Sequence, residues 1–164
     1  MERESHNIVS VDFHDQSAHN SEHFDDFNKF NLGCLGQNGV VYAQSSRPTG
    51  SLIEYKPFST WGTSKGGWSY DLPIGEEVKV IALGGAAVSQ DDDSGGALDD
   101  TTGSGKVIAA TSKNFLRFFS SAGSQTYLMN LGEQIVTMTA GSEWLLVVHR
   151  KTELITPGKV NLHC

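Results

Sequence analysis

From Trp68 to Leu83 the sequence reads WSYDLPIGEEVKVIAL, and from Lys106 to Phe119 it reads KVIAATSKNFLRFF. Short apolar runs that are rich in Val, Ile and Phe and bounded by Gly, Pro, Asp or Ser are typical of successive β-strands. The sequence therefore predicts an all-β chain in which the other strands are arranged around this stretch.

Part of this stretch is repeated further along the chain. The segment LPIGEEVKV at residues 72–80 is echoed by NLGEQIVTM at residues 130–138, so that Gly75 and Gly132 are 57 positions apart. Leaving out an insertion of roughly 20 residues shortens this spacing to about 37, close to the roughly 40–45 residues of a four-stranded propeller blade. The repeat predicts antiparallel four-stranded blades.

Length and composition limit the class of protein. The chain has 164 residues, of which 38% are hydrophobic and 18 are glycine, which favours one β-rich domain. A net charge of −7 argues against a strong nonspecific grip on nucleic-acid phosphates. Cys34 and Cys164 are too few and too far apart for a disulfide scaffold, which predicts reduced thiols in an intracellular protein. No apolar run approaches the roughly 20 residues of a membrane span.

The apolar runs before residue 72 predict one blade. Its strands are Leu32–Leu35, Gly39–Ala43, Ser51–Phe58 and Trp68–Asp71. The first two form a hairpin in which Asn38-Gly39 is predicted to supply positive φ angles. A separate strand is predicted at Ile8–Phe13. The polar segment from His14 to Asn31 is predicted to be a loop that places the rings of Phe24, Phe27 and Phe30 under a sheet, with a helical turn as the alternative.

The later runs predict a second blade and the start of a third. The second contains Val78–Leu83, Val107–Thr111, Phe115–Phe119 and Thr126–Leu131; the third contains Ile135–Met138 and Trp144–Val148, and a further strand is expected at Val160–Cys164. A propeller ring needs about four to eight blades. We therefore interpret residues 1–164 as a fragment of a single propeller domain, about three blades of a six-bladed ring. An open ring exposes apolar strand edges, so the isolated chain is expected to be poorly soluble.

The insertion at residues 84–105 is acidic and rich in Gly and Asp. It contains Asp91-Asp92-Asp93 and Asp99-Asp100 among small residues, and it has too little apolar surface to offset the entropy of ordering. A calcium loop would need a closing Glu, which is absent. We expect a disordered loop.

The ordered series of segments resembles a known family, the SepB β-propeller of the replisome hub proteins. These are the minichromosome-loss protein of fungi and the WD-repeat and HMG-box DNA-binding protein of animals, which is a DNA polymerase alpha accessory factor. The segments that carry the resemblance are Val11–Asp15, Trp68–Leu83, Lys106–Phe119, Gly132–Met138 and Leu145–Arg150. The insertion and the residues after Arg150 depart from the family pattern.

The resemblance implies a nuclear scaffold and no enzyme. In this family the complete SepB propeller forms a homotrimer, which links the replicative helicase to DNA polymerase alpha through protein–protein contacts. DNA association would be indirect or would use regions that this sequence does not contain, and no cofactor, metal or membrane is implied. Which residues form the interface is left unknown by the resemblance.

A few residues are of types that could support catalysis or metal binding. The region of His14, His19 and His23 suggests a propeller-type hydrolase or ligand-binding fragment as the alternative function, although the spacing of these histidines matches no closed metal site. Glu76 and Glu77 are interpreted as solvated turn residues, since adjacent residues in a strand point to opposite faces. Cys34 lies in an apolar strand, where a thiol is usually inert.

The aromatic residues are interpreted as core residues rather than as a surface that binds nucleic acid. A stacking surface for single-stranded nucleic acid would need interleaved basic residues beyond Lys113 and Arg117. Both are therefore predicted to lie on the surface, with a trimer contact as an open alternative. The rings are predicted to form the core between blades; they are Trp61, Trp68, Trp144, Phe115, Phe118 and Phe119.

Overall fold

A computed structural model describes residues 6–15, 17, 21–61, 66–84, 106–142 and 144–151. Within these ranges the paired strands are all antiparallel, and the predicted all-β class is confirmed. The strands are β1 (Asn7–Val11), β2 (Glu22–Asp26), β3 (Leu32–Leu35), β4 (Gly39–Gln44), β5 (Leu52–Pro57), β6 (Trp68–Asp71), β7 (Val78–Gly84), β8 (Lys106–Thr111), β9 (Phe115–Phe119), β10 (Gln125–Asn130), β11 (Gln134–Ala140) and β12 (Leu145–Arg150). A 3₁₀ turn, Phe58–Thr60, follows β5.

These strands form two complete blades and two hairpins. Blade 1 has the order β3-β4-β5-β6, and blade 2 has the order β10-β9-β8-β7. The first hairpin pairs β1 with β2, and the last hairpin pairs β11 with β12. Because each blade follows chain order from one edge to the other, the partial propeller predicted from the repeat is confirmed. The described strands do not close into a ring.

The second strand, β2, was missed by the sequence analysis, which predicted a loop there. Its sequence, EHFDD, contains one apolar residue, so periodicity alone gives little signal. The segment is instead held as a strand by its contacts. Val9 of β1 lies opposite Phe24 of β2. The Phe24 ring packs edge-on against Tyr42 of blade 1, with ring centroids 5.5 Å apart. The prediction that all three nearby phenylalanines are covered is wrong for Phe27, which is 69% exposed.

The hairpin between β3 and β4 is present, but its predicted turn chemistry is wrong. Neither Asn38 nor Gly39 has a positive φ. Gly39 is instead required by close approach, because a Cβ there would lie 2.6 Å from the carbonyl oxygen of Lys56 and 2.7 Å from the Tyr55 ring. A larger residue would therefore push β4 away from β5.

Two apolar cores lie on the two sides of blade 2. Alternate residues of a strand point to opposite faces, and β8 shows this clearly. Val107 and Ala109 pack toward blade 1, whereas Ile108 and Ala110 pack toward the last hairpin, and all four are almost fully buried. Both faces of a blade thus have to be covered by neighbours.

Ser51 connects blade 1 to blade 2 through polar contacts. Its hydroxyl donates to the carbonyl oxygen of Ser45 at 2.6 Å and accepts the backbone N–H of Val78 at 3.0 Å. Its own carbonyl oxygen accepts the N–H of Leu72 at 2.8 Å. Since Ser51 is buried, these bonds satisfy backbone groups that would otherwise be costly to desolvate.

Of the predicted insertion at residues 84–105, only Gly84 lies within the described residues. Gly84 is the last residue of β7 and pairs with Lys106, the first residue of β8. Residues 85–105 lie outside the described residues, so the disordered loop stays a prediction. The strand expected at Val160–Cys164 also lies outside them.

We predict that residues 85–105 can be replaced by Asn-Gly without loss of the fold. Gly84 and Lys106 are already cross-strand partners, so a two-residue hairpin turn joins them without a change of register. Because closure entropy grows only with the logarithm of loop length, the melting temperature is expected to stay the same or rise. Circular dichroism during thermal unfolding measures this. A fall of many degrees would show that the replaced segment packs against the blades.

Candidate interaction surface

The histidine region does not assemble into a site among the described residues. His14 is exposed, and the Nδ1 atom of His23 lies 3.0 Å from the hydroxyl of Ser10 across the first hairpin. His19 lies outside the described residues. In the part of the chain that the structure describes, no group of three or more His, Cys, Asp or Glu side chains is placed to hold a metal ion.

The two adjacent glutamates have different environments, and the interpretation of both as solvated is wrong for Glu76. A turn closed by the bond from the Glu76 N–H to the carbonyl oxygen of Pro73, 3.0 Å, brings the chain into β7, with Gly75 at a φ of +80° that favours glycine. Glu76 is only 2% exposed. Glu77 stays partly exposed and pairs with Lys79 at 2.6 Å.

Arg117 on β9 is the partner of Glu76, so the prediction that Arg117 lies on the surface is also wrong. Its Nε donates to Glu76 Oε1 at 2.8 Å, and one of its terminal amino groups donates to Glu76 Oε2 at 2.7 Å. The other terminal amino group donates to Gln125 Oε1 at 2.5 Å. This two-pronged geometry is the strong form of an ion pair. We call the pair the Glu76–Arg117 clamp.

The clamp keeps both groups charged at neutral pH. Burial alone would raise the pKa of the Glu76 carboxyl, but the hydrogen bonds and the positive charge of Arg117 outweigh it and lower that pKa below its ordinary value. The hydrogen bonds from Glu76 in turn raise the pKa of the Arg117 guanidinium. The sequence gives a signal for Glu76 alone, because Gly-Glu recurs at Gly132-Glu133 in the repeat, and it gives none for its pairing with Arg117.

Cys34 and the aromatic residues largely take structural roles. Burial raises the pKa of the half-buried Cys34 thiol, which disfavours the reactive thiolate. Trp68 packs against Phe119 at 5.5 Å between the two blades, as predicted. The core prediction is wrong for Trp144, which is 59% exposed. Lys113 is exposed, as predicted.

The outward face of the last hairpin is apolar and uncovered within the described residues. Leu145 and Val147 of β12 pack toward blade 2, whereas Leu146 is 55% exposed and Val148 is 41% exposed on the opposite side. Val136, on β11, is 50% exposed. We call these three exposed residues the hairpin face. By their pairing, Leu146 and Val148 correspond to Ile108 and Ala110 of β8, which are buried against the last hairpin.

The outermost strand of blade 2 offers a second exposed region. All six residues of β10 are exposed, and among them are Tyr127, Leu128 and Met129. In the described part of the chain β10 pairs only with β9, so one edge of its backbone has no strand beside it. Apolar side chains beside an open edge are characteristic of a protein-binding surface. No helix in the described residues is long and apolar enough to cross a membrane.

Comparison with known proteins finds a matching family and several proteins of similar sequence. Residues 1–163 match the family described as minichromosome loss protein, Mcl1, middle region. The chain is 31% identical over 149 residues to WD repeat and HMG-box DNA-binding protein 1 of Xenopus laevis, a match covering 90% of the chain and 11% of that protein. It is 30% identical over 151 residues to Protein ENHANCER OF LHP1 1 of Arabidopsis thaliana, covering 90% and 14%. It is 29% identical over 119 residues to Minichromosome loss protein 1 of Schizosaccharomyces pombe, covering 72% and 12%. The chain thus spans a small part of the length of these curated relatives.

We predict that Glu76→Ala lowers the free energy of unfolding by about 3–5 kcal/mol, because it leaves the buried Arg117 without its partner. Glu77→Ala is the matched control, since a partly exposed ion pair contributes at most about 1 kcal/mol. Urea unfolding of both variants measures the difference. Equal losses for the two variants would contradict the structural role of the clamp.

The clamp also predicts how stability depends on pH. A carboxyl whose pKa is lowered by folding stabilises the protein fully above its unfolded pKa, and this contribution is lost as pH falls through the folded value. For Glu76 the loss is expected below its ordinary pKa of 4.5. Glu76→Gln should therefore flatten the decline in unfolding free energy below that pH. Urea titrations from pH 7 to pH 3 test this, and parallel curves for the two proteins would refute it.

Proposed function

Because the chain belongs to the minichromosome loss protein family, matching its Mcl1 middle region over residues 1–163, we propose that it is part of a non-enzymatic scaffold in DNA replication. The scaffold acts in the nucleus, where it links the replicative helicase to DNA polymerase alpha. Family membership is the observation that carries this proposal. The β-blades support it, because they present apolar surface and strand edges suited to protein–protein contact.

Self-association is the second part of the proposal. A protein that contains the whole propeller forms a homotrimer, and the exposed side chains of β10 contribute to its interface. Leu128 is 41% exposed on one face of this strand, and Tyr127 and Met129 are exposed on the other face. Burial of such side chains at a subunit contact stabilises an oligomer at roughly 25 cal/mol per Å² of apolar surface before the costs of association are subtracted.

The test uses the natural full-length protein in cells and after purification. We expect the unchanged protein to sediment as a trimer and to recover both the helicase and DNA polymerase alpha when it is precipitated. Leu128→Asp should convert the trimer to a monomer. One precipitated particle should then no longer carry both the helicase and DNA polymerase alpha. Ile74→Asp is the matched control, because Ile74 is 79% exposed and lies in the turn before β7, outside β10.

Two results would count against this function. A monomeric unchanged protein would remove the self-association. Failure to recover either client under conditions that preserve replication complexes would remove the linking role.

A further inference from the structure

The apolar residues of β10 do not by themselves fix how this strand pairs with β9. A shift of one residue turns every side chain to the opposite face of the sheet, and register is strongly specified where the apolar residues are confined to one buried face. In β10 the apolar residues are consecutive: Tyr127, Leu128 and Met129. Either register therefore places apolar side chains on both faces, and polar contacts have to select one of them.

A β-bulge marks the beginning of β10. Gln125 lies opposite Phe119 and Tyr127 lies opposite Phe118, so Thr126 is the extra residue. The corresponding pairing in blade 1, between β5 and β6, is regular along its whole length. The bulge is thus a feature of this hairpin in blade 2 and not of the repeat.

The bulge turns the Gln125 side chain toward blade 1. By the spacing of 57 residues found in the repeat (125 minus 68), Gln125 corresponds to Trp68 of β6. Trp68 faces the following blade, where its ring lies 5.5 Å from the ring of Phe119. Gln125 faces the preceding blade, since its Oε1 atom lies 3.5 Å from the hydroxyl of Tyr70. The extra residue causes this reversal, because successive side chains of a strand point to opposite faces.

Polar contacts hold both residues at the bulge. A terminal amino group of Arg117 donates to Gln125 Oε1 at 2.5 Å, beside the contact of the same atom with blade 1. The Thr126 hydroxyl donates to the carbonyl oxygen of Phe118 at 3.3 Å. Without the bulge, Gln125 would point to the opposite face of the sheet and would lose its contact with Arg117.

A second pairing of the same hairpin is within reach. The far end of β10 is fixed, because the N–H of Leu131 donates to the carbonyl oxygen of Asn114 at 3.0 Å. At the near end, the N–H of Ser120 donates to the carbonyl oxygen of Ser124 at 2.9 Å and closes a loop over residues 121–123. Pairing Ser120 with Gln125 instead would remove the bulge and lengthen the loop by one residue. Loops of about three and about four residues are both common in β-hairpins.

We infer that Gln125 and Thr126 form a register lock, which selects the bulged pairing and ties the β9–β10 hairpin to the Glu76–Arg117 clamp and to blade 1. The clamp holds Arg117 in place, so its remaining amino group is presented to Gln125 at a fixed position. Thr126 satisfies a carbonyl group at the point where the bulge interrupts the ladder. Loss of either side chain releases the beginning of β10 to the longer loop, while the rest of blade 2 keeps its pairing. The lock goes beyond the proposed function, since it acts within one chain.

Amide hydrogen exchange in the natural full-length protein, resolved to single residues by mass spectrometry, tests the lock. Gln125→Leu and Thr126→Val keep the approximate shape of each side chain but remove its polar contact. Each is expected to speed exchange at residues 120–126 by about tenfold or more and to leave β7 and β8 unchanged. Because both side chains serve one lock, the double variant should exchange no faster than either single variant.

Conservative variants separate the lock from a general loss of stability. Gln125→Glu keeps an acceptor for Arg117, and Thr126→Ser keeps the hydroxyl, so both should exchange like the unchanged protein. Thr139→Val, at an exposed threonine of β11, is the matched control and should leave residues 120–126 unaffected. Unaltered exchange in both Gln125→Leu and Thr126→Val, or effects that add in the double variant, would overturn the inference. Rapid exchange of residues 120–126 in the unchanged protein would also overturn it, because nothing would then be locked.

Discussion

The buried pair of Glu76 and Arg117 is the interaction on which the described structure depends most. It joins the turn before β7 to the third strand of blade 2, so that the first and third strands are fixed relative to each other without being neighbours. Either charge alone would be costly in an apolar interior, and the pair is tolerated because its geometry is two-pronged. The apolar cores on both sides of blade 2 are built around strands held in this way.

The same constraint explains why the last hairpin differs from the blades. Blade 2 is covered on both faces, and its buried carboxylate, Glu76, is paired with Arg117 of its third strand. In the last hairpin one face packs on blade 2, but Leu146 and Val148 are exposed and Glu133 has only a histidine beside it.

Strand positions could be predicted from the sequence because most strands are short apolar runs between turn residues. β3 and β9 have the predicted bounds, and the repeat at Gly75 and Gly132 located the blades. β2 could not be predicted, because its sequence is mostly polar and it forms a strand only by pairing with β1. The clamp was missed because a charged residue is normally solvated, and only the fold shows that Glu76 and Arg117 meet in the interior. The exposure of Trp144 depends on which segments of the fold pack around its ring, and not on the residues next to it in the sequence.

Strand β12 holds the place in the last hairpin that β8 holds in blade 2, and among the described residues it pairs on one edge only, with β11. Amide hydrogen exchange, followed residue by residue, tests this most directly. We expect the amides of β8 to be protected throughout, whereas in β12 the alternate amides that point away from β11 exchange rapidly. Equal protection along β8 and β12 would contradict the account, because it would show that the edge of β12 is already covered.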